Sequence, residues 1–237
     1  MRAGRAAAVL GLGGLAALHT APALTARGPL RRAAPRLAGV GRPGGVALTF
    51  DDGPDPYGTP AVLDVLAALG WTATFFVLGE QALRFPGVLQ QVVAAGHEVG
   101  LHGHRHGNHL GRSPAAVRRD LARGHAAVRD VTGAAPRWFR PPYGVLSGGT
   151  LAAARSLSLT PVLWTAWGRD WCASTPDRVA RTVLADLRDG GTVLLHDSDA
   201  TSTPGSWRAT AGSLPLLAAA LGPRGWAVRP LREHLAA

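Results

Sequence analysis

The chain has 237 residues, 46% of them hydrophobic, which suits one domain with a substantial core and excludes both a disordered polymer and a wholly membrane-embedded protein. The formal charge of +10 comes with 25 arginines and no lysine, but with no nucleic-acid-binding motif and no arginine stripe interleaved with aromatics, so nucleic acid is not an expected partner. An anionic surface such as a cell wall suits the charge better, and the single cysteine, Cys172, excludes an internal disulfide.

Arg2 and Arg5 precede 13 apolar or glycine residues, Ala6–Leu18, and the small-residue site Ala21-Pro22-Ala23 follows. That is the pattern of an export signal over residues 1–23, which would send the chain outside the cell or to its envelope. Thirteen residues are short for a spanning helix. His19 and Thr20 interrupt a longer stretch only mildly, so an uncleaved anchor is the alternative. Residues 24–45 are rich in Pro, Gly, Ala and Arg and read as a linker, which leaves the folded domain to residues 46–230.

Strand-like runs are expected at Val46–Phe50, Thr72–Leu78, His97–His102, Arg137–Phe139, Thr160–Trp164, Thr192–Leu195 and Trp226–Val228. Helices alternate with them. One starts at Thr59-Pro60, with Thr59 as cap, and ends at Gly70; one spans Val88–Ala95; one runs from Ser113-Pro114 to about Val131. Another starts at Thr175-Pro176 and ends near Asp189-Gly190, and the last covers about Ala209–Leu221. About seven βα units in one α/β domain fit an incomplete or distorted barrel, with an open doubly wound sheet as the alternative.

The polar clusters lie just after the strand-like runs: DDGPDP after VALTF, HGHRH after HEVGL, RPPYG after RWF, HDSD after TVLL. C-terminal strand ends carry the active site in barrels and open α/β sheets, so these clusters are expected on one rim. Asp51 and Asp52 are adjacent carboxylates whose side chains diverge, so that one binds a metal while the other takes a proton. Five of the nine histidines fall in His97–His109, and among them His102 and His106 are four apart. On a helical turn that spacing puts both imidazoles on one face. With Asp52 they form a facial triad of imidazole and carboxylate donors, suited to zinc and its first-row neighbours. No HExxH is present, so the base comes from elsewhere, and Asp51 is available. His97, His104 and His109 are expected beside the site or on the surface.

Arg140, stiffened by two prolines, is a candidate partner for Asp51. Tyr143 is a candidate pocket wall whose backbone N–H faces an oxyanion. Trp164, Trp167 and Trp171 crowd eight residues around Asp170, either to stack against a sugar or to pack the core. Asp170 is a candidate partner for His196, raising its pKa and fixing its tautomer. His196 is then a candidate general acid, with Leu195 as the wall of a small apolar pocket.

These motifs resemble the polysaccharide deacetylase family, the NodB-homology domain of carbohydrate esterase family four. TFDDGP at Thr49–Pro54, HGHRH at His102–His106, RPPYG at Arg140–Gly144, DW at Asp170-Trp171 and LLH at Leu194–His196 match its five motifs in order. The resemblance implies a distorted (β/α)7 barrel and metal-dependent removal of N-acetyl groups from an N-acetylhexosamine glycan such as a chitin oligomer or peptidoglycan. By that comparison Asp51 is the base, with Arg140 as its partner. Asp52, His102 and His106 bind one divalent ion, zinc, or else cobalt or nickel. His196 is the general acid with Asp170 behind it, Leu195 lines the acetyl-methyl pocket, and Tyr143 and Trp171 meet oxyanion and substrate. Gly103 departs from the pattern, which has Ser or Thr there to brace the metal loop. The competing readings are an amidase or esterase for a small acylated molecule and a non-catalytic glycan binder. No motif sets an oligomeric state.

Overall fold

The computed structural model describes residues 17–26, 33–172 and 174–236. Among the described residues, eight strands form one sheet: β1 Gly45–Asp51, β2 Thr74–Val77, β3 Glu98–Leu101, β4 Trp138–Phe139, β5 Thr160–Pro161, β6 Ala166–Trp167, β7 Thr192–His196 and β8 Ala227–Arg229. Every pairing is parallel, in the order β5-β4-β3-β2-β1-β7-β6, with β8 on the first half of β1. β1 is central and buried at every position, which is why its sequence, GVALTFD, is nearly all apolar rather than alternating.

The row must curl. Seven strands laid flat would set their outer edges ~29 Å apart. The edge strands β5 and β6 are joined only by residues 162–165, a stretch that reaches at most ~18 Å. The result is an incomplete barrel of parallel strands flanked by helices. Of the strand expected at Thr160–Trp164 only Thr160–Pro161 forms, as β5, and residues 162–165 then cross the opening to β6 on the opposite edge.

Among the described residues, seven helices longer than one turn pack around it: α1 Gly58–Leu69, α2 Gly79–Arg84, α3 Pro86–Ala94, α4 Pro114–Thr132, α5 Gly148–Ser156, α6 Pro176–Asp186 and α7 Trp207–Leu221. The Ser-Pro and Thr-Pro starts of α4 and α6 behave as their chemistry dictates. Ser113 Oγ accepts from the Ala116 N–H at 3.3 Å, and Thr175 Oγ1 from Arg178 at 3.4 Å. Thr59 does not cap α1, which begins one residue earlier. Its buried hydroxyl instead donates to Asp197 Oδ2 at 2.5 Å, tying α1 to the end of β7.

Side-chain alternation sorts each strand between two environments. Leu48 and Phe50 of β1, Phe75 of β2 and Val193 and Leu195 of β7 join the core under the helices, with Leu66, Leu121, Val183 and Leu214. The other face carries Ala47 and Phe76 in one small cluster and Leu194 in another. Thr49 and Asp51 follow Ala47 on that inner face, as His196 follows Leu194.

The chain before β1 is less of a linker than its composition implies. Pro35–Ala38 forms a helical turn, Leu37 packs on the core, and the Gly39 carbonyl accepts from Thr192 Oγ1 at 2.6 Å. At the other end the packed structure runs past residue 230, through the buried Leu231 and His234. The expected signal or anchor falls largely on residues 1–16, which lie outside the described residues, and no described helix is long and apolar enough to cross a membrane.

Candidate active site and metal centre

Asp51 ends β1 and lies in register with His196 at the end of β7, so adjacent parallel strands deliver a carboxylate and an imidazole to the same rim. Asp52 follows with φ 78°, a left-handed turn that separates its carboxylate from that of Asp51. Both are 2% exposed. Behind them lies Arg140, fully buried just after β4, with each side-chain nitrogen committed. Nη1 donates to Asp51 Oδ1 at 2.8 Å and to Thr49 Oγ1 at 2.7 Å. Nη2 donates to the Leu163 carbonyl at 2.9 Å and Nε to that of Val162 at 3.4 Å, with the guanidinium 4.2 Å above the Phe76 ring. Burial pushes the Asp51 pKa upward, and the charge and hydrogen bond of Arg140 offset this only in part. Arg140 does favour ionised Asp51, but desolvation is the larger effect.

His102 leaves the end of β3, and its Nδ1 lies 2.8 Å from the Arg140 carbonyl. A carbonyl only accepts, so Nδ1 carries the proton and Nε2 presents its lone pair. That Nε2 is 3.4 Å from Asp52 Oδ1, and His106 Nε2 is 3.6 Å from the same oxygen. Burial, opposed by Asp52, takes the His102 pKa down to about 3, which keeps it neutral. One ligand atom from each of Asp52, His102 and His106 lies within 4.8 Å of the others. Asp52 Oδ1 is buried and has no hydrogen-bond partner among the described residues. Two imidazole nitrogens converging on an orphaned carboxylate oxygen form a donor set that fits one divalent cation.

The pair is not carried by a helix, as its spacing implied; residues 102–109 are a loop. Gly103, at φ 95°, turns it. The Gly103 carbonyl accepts from the Gly79 N–H and that of His104 from Glu80, while the His104 N–H donates to Asp120 Oδ2 of α4 at 2.9 Å. His97, His104 and His109 are all buried outside this cluster; His109 stacks on Phe139 and His97 packs beside Phe75.

His196 is gripped by Asp170. Its Nδ1 lies 3.0 Å from Asp170 Oδ1, while its backbone N–H and Thr210 Oγ1 donate to Oδ2 at 2.7 and 2.6 Å. Burial works to lower the His196 pKa, but Asp170, with smaller contributions from Asp52 and Asp51, outweighs it and pushes the value up to about 10.

Residues 39–162 match the profile of the polysaccharide deacetylase family. A chitooligosaccharide deacetylase of Bradyrhizobium sp. (strain ANU 289) is 38% identical over 199 residues, 79% of this chain and 89% of that one. The chain belongs to the polysaccharide deacetylase family. Solved structures agree. A peptidoglycan N-acetylglucosamine deacetylase, Bc1960, superposes with TM-score 0.76 at 29% identity, covering 82% of this chain and 90% of that one. A family 4 acetyl xylan esterase from Clostridium thermocellum, in complex with a cobalt ion, gives 0.70 at 31%, covering 79% and 88%.

In this polysaccharide deacetylase the ligand set, Asp51 and His196 open into one cavity of about 510 Å³. Its walls are aromatic. Trp171, 45% exposed, stacks at 6.3 Å on Trp167, which meets Trp164 at 5.9 Å. Tyr143, 59% exposed and at φ 59°, sets its ring 4.5 Å from that of His106. Leu195 is the one expected wall residue that does not reach the cavity. It is fully buried in the core under the helices, and Leu194 lines the cavity instead. The reason is strand alternation: Leu194 is two residues from His196 and shares its face, whereas Leu195 faces the other way. That signal was present in the sequence. Thr201 was missed altogether. It lies in the loop after β7 and lines the cavity, and its hydroxyl donates to Asp52 Oδ2 at 2.5 Å. No spacing rule ties a loop threonine to a carboxylate 149 positions away.

Proposed function

We propose that the chain is a metal-dependent hydrolase that removes N-acetyl groups from an N-acetylglucosamine glycan, a chitin oligomer or peptidoglycan, leaving acetate and a free amine. The observation that carries this reading is the convergence of Asp52 Oδ1, His102 Nε2 and His106 Nε2 in the same cavity as Asp51 and His196. The relatives named for chitooligosaccharide and peptidoglycan N-acetylglucosamine deacetylation support the substrate class.

Asp52, His102 and His106 would hold the ion, zinc by the nitrogen-and-oxygen donor set, with cobalt or nickel also suited. A divalent ion there supplies a Lewis acid for the acetyl carbonyl and lowers the pKa of water. Asp51 accepts the proton of the attacking water, held in place by Arg140. Its upward-shifted pKa makes it a stronger base than an ordinary carboxylate. His196, kept cationic by Asp170, donates a proton to the departing nitrogen. The Tyr143 N–H adds a donor for the oxyanion. Leu194 bounds the space for the acetyl methyl, and Trp171 with Trp167 offers flat apolar faces to the sugar ring. The pattern at residues 1–23 fits export, and the net charge of +10 fits work at an anionic cell wall.

The test is acetate release from chitin oligomers, peptidoglycan and acetylated xylan, with and without chelator. Release from the N-acetylated glycans should stop with chelator and return with zinc or cobalt. Metal-replete protein that releases acetate only from the xylan ester, or from none of the three, overturns the proposal.

A further inference from the structure

The two oxygens of Asp52 have different surroundings. Oδ1 faces the Nε2 atoms of His102 and His106 and has no hydrogen-bond partner among the described residues. Oδ2 accepts the Thr201 hydroxyl at 2.5 Å. A carboxylate with one oxygen held by a donor is fixed in plane and offers the other, and its negative charge is partly balanced on the held side. We propose that Thr201 is the positioning residue that holds Asp52 as a one-oxygen ligand and thereby sets the metal affinity of the site.

Thr201 is well placed for this. Its loop is tied by its own hydrogen bonds: Ala200 N–H to Ser198 Oγ at 3.0 Å, Ser202 N–H to the Asp199 carbonyl at 3.2 Å and Gly205 N–H to Asp199 Oδ2 at 2.5 Å. The Thr203 N–H donates to the Trp171 carbonyl at 3.0 Å, which anchors the loop to the aromatic wall. The hydroxyl thus reaches a buried carboxylate from a solvent-exposed residue whose backbone is fixed on both sides. A contact of this kind, one bond away from the ion, is worth roughly 10- to 100-fold in metal affinity.

This inference rests on the metal site of the proposed function, and the experiment separates the two. Metal-free wild type, Thr201→Val and Thr201→Ser are titrated with cobalt(II), followed by the visible absorption of the bound ion, and their thermal unfolding is compared in chelator. Valine keeps the shape and removes the donor; serine keeps the donor. The expected result is one cobalt per chain in wild type, roughly 10- to 100-fold weaker binding in Thr201→Val, near-wild-type binding in Thr201→Ser, and unchanged metal-free unfolding in both variants. Wild type that binds no cobalt removes the metal site and this inference with it. Wild type that binds while Thr201→Val binds as tightly leaves the site standing and overturns the role of Thr201. Weakening by serine as large as that by valine does the same, since keeping the hydroxyl then rescues nothing.

Discussion

Two neighbouring aspartates, 2% exposed and one residue apart, take on different tasks because their surroundings differ. Asp51 is tied to Arg140 and Asp52 is turned toward two histidines. Asp51→Asn should therefore lower kcat by roughly a hundred- to ten-thousand-fold while cobalt still binds, and Asp52→Ala should abolish cobalt binding itself. Turnover near wild type in Asp51→Asn would remove it as the base. The pair Leu194 and Leu195 makes a second test of facing. Leu195→Ala should cost about 2–5 kcal/mol in chemical denaturation and leave KM alone, because it empties a core position. Leu194→Ala should change KM and widen acyl selectivity, because it enlarges the cavity. A KM change in the Leu195 variant would contradict the assignment. For His196 the pH profile is the readout. The acid form needed for proton donation persists up to about pH 10 because Asp170 raises the pKa against the cost of burial. Replacing Asp170 by Asn removes that charge, so the alkaline limb of kcat should move to lower pH; an unmoved limb would separate Asp170 from the acid.

Elements explain why some of this was legible in the sequence and some was not. β1 and β7 were legible because a buried parallel strand is an unbroken apolar run, and the polar residues after it then mark the rim. α4 and α6 were legible from Ser113-Pro114 and Thr175-Pro176. α5 was hidden because its first two residues are glycines; its start is marked only by the Ser147 and Thr150 side chains bonding across the first turn. The run Thr160–Trp164 looks like one strand, but the carbonyls of Val162 and Leu163 are taken by Arg140 rather than by a neighbouring strand, which ends the ladder there. The metal loop was read by analogy with a helix, whereas α4 braces it from outside. Asp120 holds the His104 N–H, and Gly124, one turn on, lies against the loop so closely that an added Cβ would sit 2.9 Å from the Gly103 carbonyl carbon and the His104 nitrogen. In an exposed helix Gly→Ala gains ~1 kcal/mol. Here Gly124→Ala should instead displace the loop and weaken cobalt binding, and binding equal to wild type would show that α4 does not set the loop. The loop also bears on the missing hydroxyl at position 103. With φ 95° and a Cβ that would lie 3.2 Å from the Arg105 carbonyl, Gly103→Ser is strained, so the family-like side chain should not tighten the site.

At the scale of the whole molecule, the curled sheet buries titratable groups whose effects on stability oppose one another. Burial raises the pKa of Asp51, and raises that of Asp197 to about 7, so the folded chain holds protons there that the unfolded chain releases. Those groups favour the fold as pH falls. Histidines whose pKa burial lowers do the reverse, and His97 isolates the effect because its geometry fixes its charge state. Its Nδ1 accepts the Ala73 N–H at 3.2 Å, which a protonated nitrogen cannot do. Burial, reinforced by the nearby Arg232, lowers its pKa from 6.5 to about 4. Between those values the unfolded chain binds a proton at His97 that the folded chain refuses, so the contribution of His97 to stability is full above 6.5, falls as pH drops and levels off below about 4. Because Asp51 and Asp197 pull the other way, the total stability of wild type does not isolate this; a difference does. Glutamine at position 97 offers a neutral acceptor and no titration. In chemical denaturation with chelator present, wild-type stability minus that of His97→Gln should shrink steadily from pH 7 to pH 4.5. A difference that stays flat across that interval would mean that His97 titrates as freely in the fold as in the unfolded chain, against both its burial and its bond to Ala73.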